Sequence, residues 1–160
     1  RQNIGDPYRN VVGIFMNQIM MGKKLSIFGD GSQTRAFSYI DDVAPVIAKS
    51  ISIPEAYNQT FNIGADKPYT VNELANIVCD AFEVKKMIEY YDARNEVQHA
   101  YSSHDKVKKY FGQFIKDVPL KQGIDKMVQE VKQKGPRQGK KFKNIEVVKN
   151  MPNAWKNLSE

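Results

Sequence analysis

Apolar residues occur along the chain in two patterns, one with helical spacing and one of short continuous runs. Helical spacing predicts helices near residues 10–22, 41–53, 70–83, 104–111 and 119–134. Short apolar runs predict strands near residues 25–28, 37–40, 59–63 and 87–91. Thr70-Val71-Asn72-Glu73 has the capping-box pattern that opens a helix, and Asp41 or Asp42 is the predicted N-cap of the second helix. The alternation of short strands and helices predicts a small α/β fold.

The first predicted strand, Leu25–Phe28, ends at Gly29-Asp30-Gly31. Two glycines around an aspartate allow the positive φ angles of a tight turn. Arg35 follows on the connection to the next apolar run, where a planar guanidinium can bind a phosphate with two parallel hydrogen bonds. For an arbitrary arginine after such a turn, a solvated loop charge is the more common role.

Residues 29–42 resemble the segment Gly-Asp-Gly-x-x-x-Arg-Asp-Phe-x-Tyr-Val-x-Asp of the extended short-chain dehydrogenase/reductase family. The resemblance is strongest to NAD-dependent nucleotide-sugar epimerases and dehydratases similar to UDP-glucose 4-epimerase. In that family the arginine contacts the diphosphate of the nucleotide sugar, which implies a phosphate role for Arg35. The aspartate that usually follows the arginine is Ala36 here, so the resemblance implies a looser or differently supported grip.

The same resemblance implies further contacts with the nucleotide sugar. Backbone groups near Asn10 and Val11 would hold the base, with Tyr8 close by, although Tyr8 can equally pack on the helix start. Asn62, in Phe-Asn-Ile-Gly, would lie near the diphosphate or the sugar, although an asparagine at a strand end often closes an Asx turn.

Arg94 and Glu96 correspond to an Arg-Pro-Gly-Asp-Val segment in many members of the family. There the arginine touches the diphosphate and the acid touches a ribose hydroxyl. The spacing in this chain is shorter by one residue, which can re-aim either side chain. The alternative for Glu96 is a plain surface carboxylate.

Two sequence motifs that the complete enzymes of this family need are missing from this sequence. None of its glycines falls in a Gly-x-x-Gly-x-x-Gly spacing, which holds the dinucleotide pyrophosphate at a helix N-terminus. No tyrosine is followed by lysine at the fourth position, so the Tyr-x-x-x-Lys pair that moves the sugar hydroxyl proton is absent. We therefore predict no catalytic residue here, and the NAD implied for the complete enzyme has its site outside this chain.

Net charge is +6, and residues 121–160, with ten basic and four acidic side chains, account for all of it. We predict a nucleotide-sugar-binding domain over residues 1–134 and a basic tail over residues 135–160. The tail contains a candidate edge strand at 142–148 and Trp155, which we expect to dock on a protein surface. A solvated linker is favoured over nucleic-acid binding, because no aromatic side chain is interleaved in residues 132–141.

Cysteine usage and hydropathy bound the cellular setting. The single Cys79 excludes an intramolecular disulfide, lies at a buried helical spacing and fits a reducing, cytoplasmic environment. The chain has no apolar run of about 18 residues and no signal-peptide pattern, so we expect no membrane insertion or export. His99 and His104 lack the neighbouring ligands of a zinc site, and we predict no metal.

Together these observations predict the substrate-binding, carboxyl-terminal portion of an NAD-dependent epimerase or dehydratase. Its fold would be a small α/β domain with short strands and about five helices, lacking most of the Rossmann sheet. The expected ligand is a nucleotide diphosphate sugar, with a UDP-sugar favoured. The complete enzyme, expected to be a homodimer, would epimerise the sugar at C4, and this portion alone would be inactive. The alternative is an interaction module whose basic tail binds nucleic acid or a partner protein.

Overall fold

The computed structural model describes residues 2–139, which contain five α-helices and five short strands. The helices are α1 Val11–Met20, α2 Ile40–Lys49, α3 Val71–Phe82, α4 Asp105–Phe111 and α5 Leu120–Lys134. The strands are β1 Leu25–Phe28, β2 Thr34–Ala36, β3 Pro68–Thr70, β4 Ile88–Tyr91 and β5 His99–Ala100. Within this part of the chain no helix has both the length and the apolar character needed to cross a membrane. The predicted edge strand and Trp155 lie outside the described residues.

The strands form two small sheets. β1 and β4 pair in parallel, with Leu25 opposite Ile88. β2 is the centre of the second sheet, antiparallel to β3 and parallel to β5. The predicted small α/β fold with short strands and about five helices is confirmed.

The main core lies between β1 and the three helices α1, α3 and α5. Its fully buried side chains include Phe15, Met16, Leu25, Ile27, Leu74 and Val78. Cys79 belongs to this core, as its spacing predicted, and burial raises the pKa of its thiol. A second, smaller core under α2 and α4 contains Val46, Ala56, Val107 and Phe111.

Helix α3 begins with the predicted capping box. The Thr70 hydroxyl accepts a hydrogen bond from the backbone N–H of Glu73 at 3.0 Å, and the Glu73 carboxylate accepts from the backbone N–H of Thr70 at 2.7 Å. Helix α2 differs from its prediction, since it begins at Ile40 with Tyr39 as N-cap. The predicted cap Asp42 instead accepts hydrogen bonds from the distant backbone N–H groups of Lys116 and Val118.

Two strand predictions are wrong in position. The strand predicted near 37–40 is β2 at Thr34–Ala36, where Arg35 pairs with Tyr69 of β3. Residues 59–63 form no strand, and within this segment Phe61 packs edge-on against Phe111 of the smaller core, with ring centroids 5.3 Å apart. The patterning also missed β3 and β5, which are two or three residues long.

Candidate functional site

A cavity of about 430 Å³ opens between the start of α1, strand β2 and the start of α5. Its size falls in the range of small-molecule sites, roughly 300–1,000 Å³. Residues 118–127 contribute only apolar side chains and one glycine to the wall, and the polar side chains come from the other lining segments. The lining residues are Gln2, Asn10, Val11, Val12, Arg35, Ala36, Phe37, Ser38, Tyr39, Val118, Leu120, Gly123, Ile124 and Met127.

The N-terminus of α1 gives the cavity one source of positive potential. Asn10, the N-cap residue, has a left-handed backbone conformation with φ of 66°, and its side chain makes no capping hydrogen bond. The first turn carries no acidic residue. First-turn N–H groups have no intrahelical acceptor, and the helix dipole is positive at this end. The α1 start at Val11 and Val12 therefore favours an anion or a polar group with hydrogen-bond acceptors.

Arg35 gives the second source of positive potential. Nη1 donates to the carbonyl oxygens of Thr34 at 2.8 Å and Gln98 at 3.3 Å, and Nη2 donates to Oε2 of Glu96 at 3.0 Å. The side chain is 26% exposed. The family's aspartate is absent at Ala36, and the carboxylate that contacts the guanidinium comes from Glu96, more than sixty residues away.

The turn before β2 fixes the approach to Arg35. Gly29 and Gly31 have φ angles of 73° and 77°, as the turn prediction required. Asn72 of α3 holds the turn, because its Nδ2 donates to the carbonyl oxygen of Asp30 at 2.8 Å and its N–H donates to that of Gly31 at 3.1 Å. The turn is therefore bound to the first helical turn of α3.

Arg94 lies in the loop after β4 and outside the cavity lining. Its guanidinium stacks on Phe28, with Cζ 3.3 Å from the ring centroid. Burial lowers the pKa of Arg94, and the nearby Glu96 carboxylate opposes that shift. Among the predicted ligand contacts, Arg94 is thus held against the end of β1 and not against the cavity wall.

Tyr8 and Asn62 also lie outside the cavity lining. Tyr8 is half-buried, and its backbone N–H donates to Oδ1 of Asp6 at 2.9 Å. Asn62 is exposed in the loop between α2 and β3. The cavity therefore brings together Asn10, Val11 and Arg35, with Glu96 reached through Arg35. The ligand contacts of all seven predicted residues stay predictions.

The loop that carries Asn62 is tied to α4 by Asp66. Its Oδ1 lies 2.8 Å from Nδ1 of His104, which is only 4% exposed, and its Oδ2 pairs with the Lys108 ammonium. The hydroxyl of Ser102 lies 3.1 Å from Nε2 of His104. The hydrogen bonds of Asp66 with Lys108, which has the larger effect, and with His104 hold the pKa of the Asp66 carboxyl below its ordinary value.

This pKa shift predicts a dependence of stability on pH. A carboxyl whose pKa is lower in the folded state stabilises the fold above its unfolded-state pKa, about 3.9, and loses that contribution as the pH falls through the folded-state value. Asp66→Asn removes the contribution, so its thermal midpoint should fall less than that of the wild type between about pH 6 and about pH 3. Thermal unfolding followed by circular dichroism measures both slopes. Lys108→Gln should reproduce most of the effect, and equal slopes in wild type and Asp66→Asn would contradict the prediction.

Sequence reasoning missed the apolar wall of the cavity. Gly123 lets α5 approach Tyr39, since a Cβ added there would lie 3.0 Å from Cδ2 of that ring. A glycine inside a helical pattern weakens the helix, so its presence at Gly123 was a signal of close packing. Leu120 lies at the helical spacing that predicted α5, but nothing in the sequence marked Leu120 or Val118 as part of a cavity wall.

Comparisons with known proteins agree with the resemblance seen in the segment around Arg35. Residues 2–64 match the model of the NAD dependent epimerase/dehydratase family. The putative UDP-glucose 4-epimerase of Methanocaldococcus jannaschii is 31% identical over 76% of this chain and 39% of its own length. UDP-glucuronic acid decarboxylase 1 of Danio rerio is 29% identical over 74% of this chain and 28% of its own length. The chain thus spans well under half the length of these relatives.

The fold is similar to that of solved epimerases. The structure of UDP-glucose 4-epimerase from Thermotoga maritima with UDP-glucose superposes with a TM-score of 0.72 and 29% identity, over 81% of this chain and 42% of that one. UDP-N-acetylglucosamine 4-epimerase from Methanobrevibacter ruminantium, in complex with UDP-N-acetylmuramic acid, gives a TM-score of 0.73 and 26% identity, over 81% of this chain and 41% of that one. The α/β fold of this chain therefore matches part of the epimerase fold.

Among proteins with that fold, the chain is related to the NAD-dependent epimerase/dehydratase family. The resemblance predicted from the turn and from Arg35 is thereby confirmed.

Proposed function

We propose that this chain is the nucleotide-sugar-binding portion of an NAD-dependent epimerase or dehydratase. The observation that carries the proposal is the cavity itself, in which the start of α1 and Arg35 border one space of about 430 Å³. The two positive features suit a diphosphate and the acceptor groups of a base. The apolar side chains at its other wall, among them Leu120 and Met127, suit the faces of a planar base.

The identity of the ligand is proposed from relatives. The Thermotoga and Methanobrevibacter epimerases were solved with UDP-glucose and with UDP-N-acetylmuramic acid. A UDP-sugar is therefore the proposed ligand of this chain. Asn10 and Val11 would hold the base through backbone groups, and Arg35 would neutralise the diphosphate. Asn62, Arg94 and Tyr8 are further proposed contacts, reached by parts of the ligand that extend beyond the cavity.

The reaction is proposed for the complete enzyme only. NAD would oxidise the sugar at C4, the keto sugar would reorient and the hydride would return to the other face. The diphosphate contacts would hold the reacting ring in place through a remote part of the substrate. UDP-glucuronic acid 4-epimerase from Bacillus cereus was solved with UDP-glucuronic acid and NAD. This sequence has neither the glycine-rich turn nor the Tyr-x-x-x-Lys pair, so the chain alone is proposed to bind substrate without turning it over.

The surface of α2 supports a place in a larger enzyme. Ile40 and Ile47 of α2, and Ile51 just after it, recur at helical spacing and are exposed. Exposed apolar stripes of this kind mark surfaces that pack against another body. We propose that the dinucleotide-binding half covers this stripe in the complete enzyme, with residues 1–134 as the substrate domain. We also propose that residues 135–160 are a basic tail outside the substrate domain and that the complete enzyme is a homodimer.

Calorimetric titration of the 160-residue chain with UDP and with uridine tests the proposal. Arg35→Ala should weaken UDP binding about tenfold, or ~1.4 kcal/mol, because a charge-assisted hydrogen bond to the diphosphate is lost. Uridine lacks the diphosphate, so its affinity should not change. Arg9→Ala is the matched control, since Arg9 is exposed, pairs with Asp6 and lies outside the cavity lining. Absence of UDP binding, or equal UDP affinity in both variants, would overturn the proposal.

A further inference from the structure

Beyond the role of Arg35, we propose that Glu96 is a positioning residue that fixes the Arg35 guanidinium for the diphosphate. This inference rests on the proposed function. It assigns Glu96 a role different from the ribose contact that the family resemblance implies. It also explains how the chain manages without a carboxylate at Ala36.

The hydrogen bonds of Arg35 leave a defined edge of the guanidinium for a ligand. Nη1 and Nη2 of Arg35 donate to the carbonyl oxygens of Thr34 and Gln98 and to Glu96, whereas Nε–H makes no hydrogen bond within residues 2–139. Nη2 carries two N–H groups, and Glu96 accepts from this nitrogen through one oxygen. Nε and Nη2 lie on the same edge of the plane, which is a geometry for two parallel bonds to a phosphate. With Glu96 and the carbonyl oxygens in place, that edge is set before the ligand arrives.

Glu96 is itself held at both carboxylate oxygens. Oε2 accepts from Arg35 at 3.0 Å, and Oε1 accepts from Nε2 of Gln33 at 3.3 Å. The same Gln33 nitrogen donates to the carbonyl oxygen of Phe28 at 2.9 Å, and Gln33 is buried. The network therefore runs from the end of β1 through Gln33 and Glu96 to Arg35.

Two roles are possible for Glu96: it can orient Arg35, or it can contribute only its negative charge. The two roles predict opposite changes in UDP affinity when the charge of Glu96 is removed. The Glu96 side chain is 37% exposed and Arg35 is 26% exposed, so water and salt weaken their attraction. If Glu96 contributed only its charge, then its neutralisation would leave a more positive cavity and would tighten the binding of UDP. If Glu96 orients the guanidinium, its neutralisation would loosen the Nη2 side of Arg35 while Nη1 stays bound to two carbonyl oxygens, and would weaken the binding. The sign of the change thus separates the two roles.

Titration of the full chain with UDP tests the inference. Glu96→Gln should weaken UDP binding about three- to tenfold, in the range of one ordinary hydrogen bond, and should leave uridine binding unchanged. Glu55→Gln, on an exposed turn away from the cavity, is the control with the same change in net charge. Glu96→Asp keeps the charge but is one methylene too short to reach both partners, so it should also weaken binding. The thermal midpoint of each variant separates binding effects from unfolding.

A double-mutant cycle shows whether Glu96 acts through Arg35. In the Arg35→Ala background, Glu96→Gln should have no further effect on UDP binding, because the group it positions is gone. Tighter or unchanged UDP binding in Glu96→Gln, or an equal loss in both backgrounds, would overturn the inference. Those outcomes leave the proposed function standing as long as Arg35→Ala weakens UDP binding. Failure of the wild-type chain to bind UDP would overturn the proposed function and this inference together.

Discussion

Replacing Asp42 with alanine should lower the free energy of unfolding by about 2–6 kcal/mol. Asp42 is only 9% exposed, and its carboxylate accepts hydrogen bonds from the backbone N–H groups of Lys116 at 2.9 Å and Val118 at 3.0 Å. Removal of the carboxylate leaves both donors without this acceptor, and each loss costs roughly 1–3 kcal/mol. The same change should weaken UDP binding, because Val118 lines the cavity.

Denaturant unfolding of the 160-residue chain measures the loss. Asp41→Ala is the matched control, since Asp41 is the neighbouring carboxylate in the same helical turn and contacts Lys126 only at 3.9 Å across the surface. Exposed pairs of this kind contribute little, so the control should change stability by less than about 0.5 kcal/mol. Equal losses in the two variants would show that the hydrogen bonds that Asp42 accepts from Lys116 and Val118 do not stabilise the fold.

Gly31→Ala should lower the free energy of unfolding by about 2–3 kcal/mol. Gly31 has φ of 77°, where an alanine costs roughly 1–2 kcal/mol. An added Cβ would also lie 2.5 Å from Oδ1 of Asn72, and displacing this side chain breaks its hydrogen bond to the carbonyl oxygen of Asp30. That bond adds roughly 1 kcal/mol. Because the turn leads into β2, the variant should also disturb Arg35.

Two further glycines separate the causes of that loss. Gly22 has φ of 68° with nothing within 4 Å of an added Cβ, so Gly22→Ala isolates the backbone cost. Gly112 has helical φ of −53° and equally open surroundings, so Gly112→Ala should be neutral or slightly stabilising. We expect the losses measured by denaturant unfolding to rank Gly31 above Gly22 and Gly22 above Gly112. A Gly31 variant that unfolds no more readily than the Gly22 variant would refute the contact with Asn72.

The helices could be predicted from the sequence because their signals are local. The apolar period places all five helices, and the Thr70 and Glu73 pair places the start of α3 to the residue. The start of α2 could not be predicted in this way. Asp42 has the residue type of an N-cap, yet its carboxylate serves a segment more than seventy residues further along the chain. Such a tertiary contact leaves no trace in local patterning.

The candidate site was predictable only where a contiguous motif carried it. Gly29, Gly31 and Arg35 lie within one short segment, and the structure places Arg35 on the cavity wall. The apolar wall comes from residues 118–127, most of which the sequence predicted as the first part of a helix without any sign that they would line a cavity. Strand β5 is two residues long and is defined by its pairing with β2, so no periodicity could reveal it. The contact between Glu96 and Arg35 follows from that pairing.

The parallel pairing of β1 with β4 has a consequence for how the chain folds. Parallel neighbours cannot be joined by a hairpin, and the segment between Phe28 and Ile88 contains α2, both partners of the β2–β3 ladder and α3. Closing so long a loop costs entropy before its contacts give any stability in return, and high contact order slows folding. Helix α3 can form from local signals, whereas the contact of Arg35 with Glu96 depends on the non-local pairing of β2 with β5. We therefore expect that contact to form late in folding, after most of the helical structure.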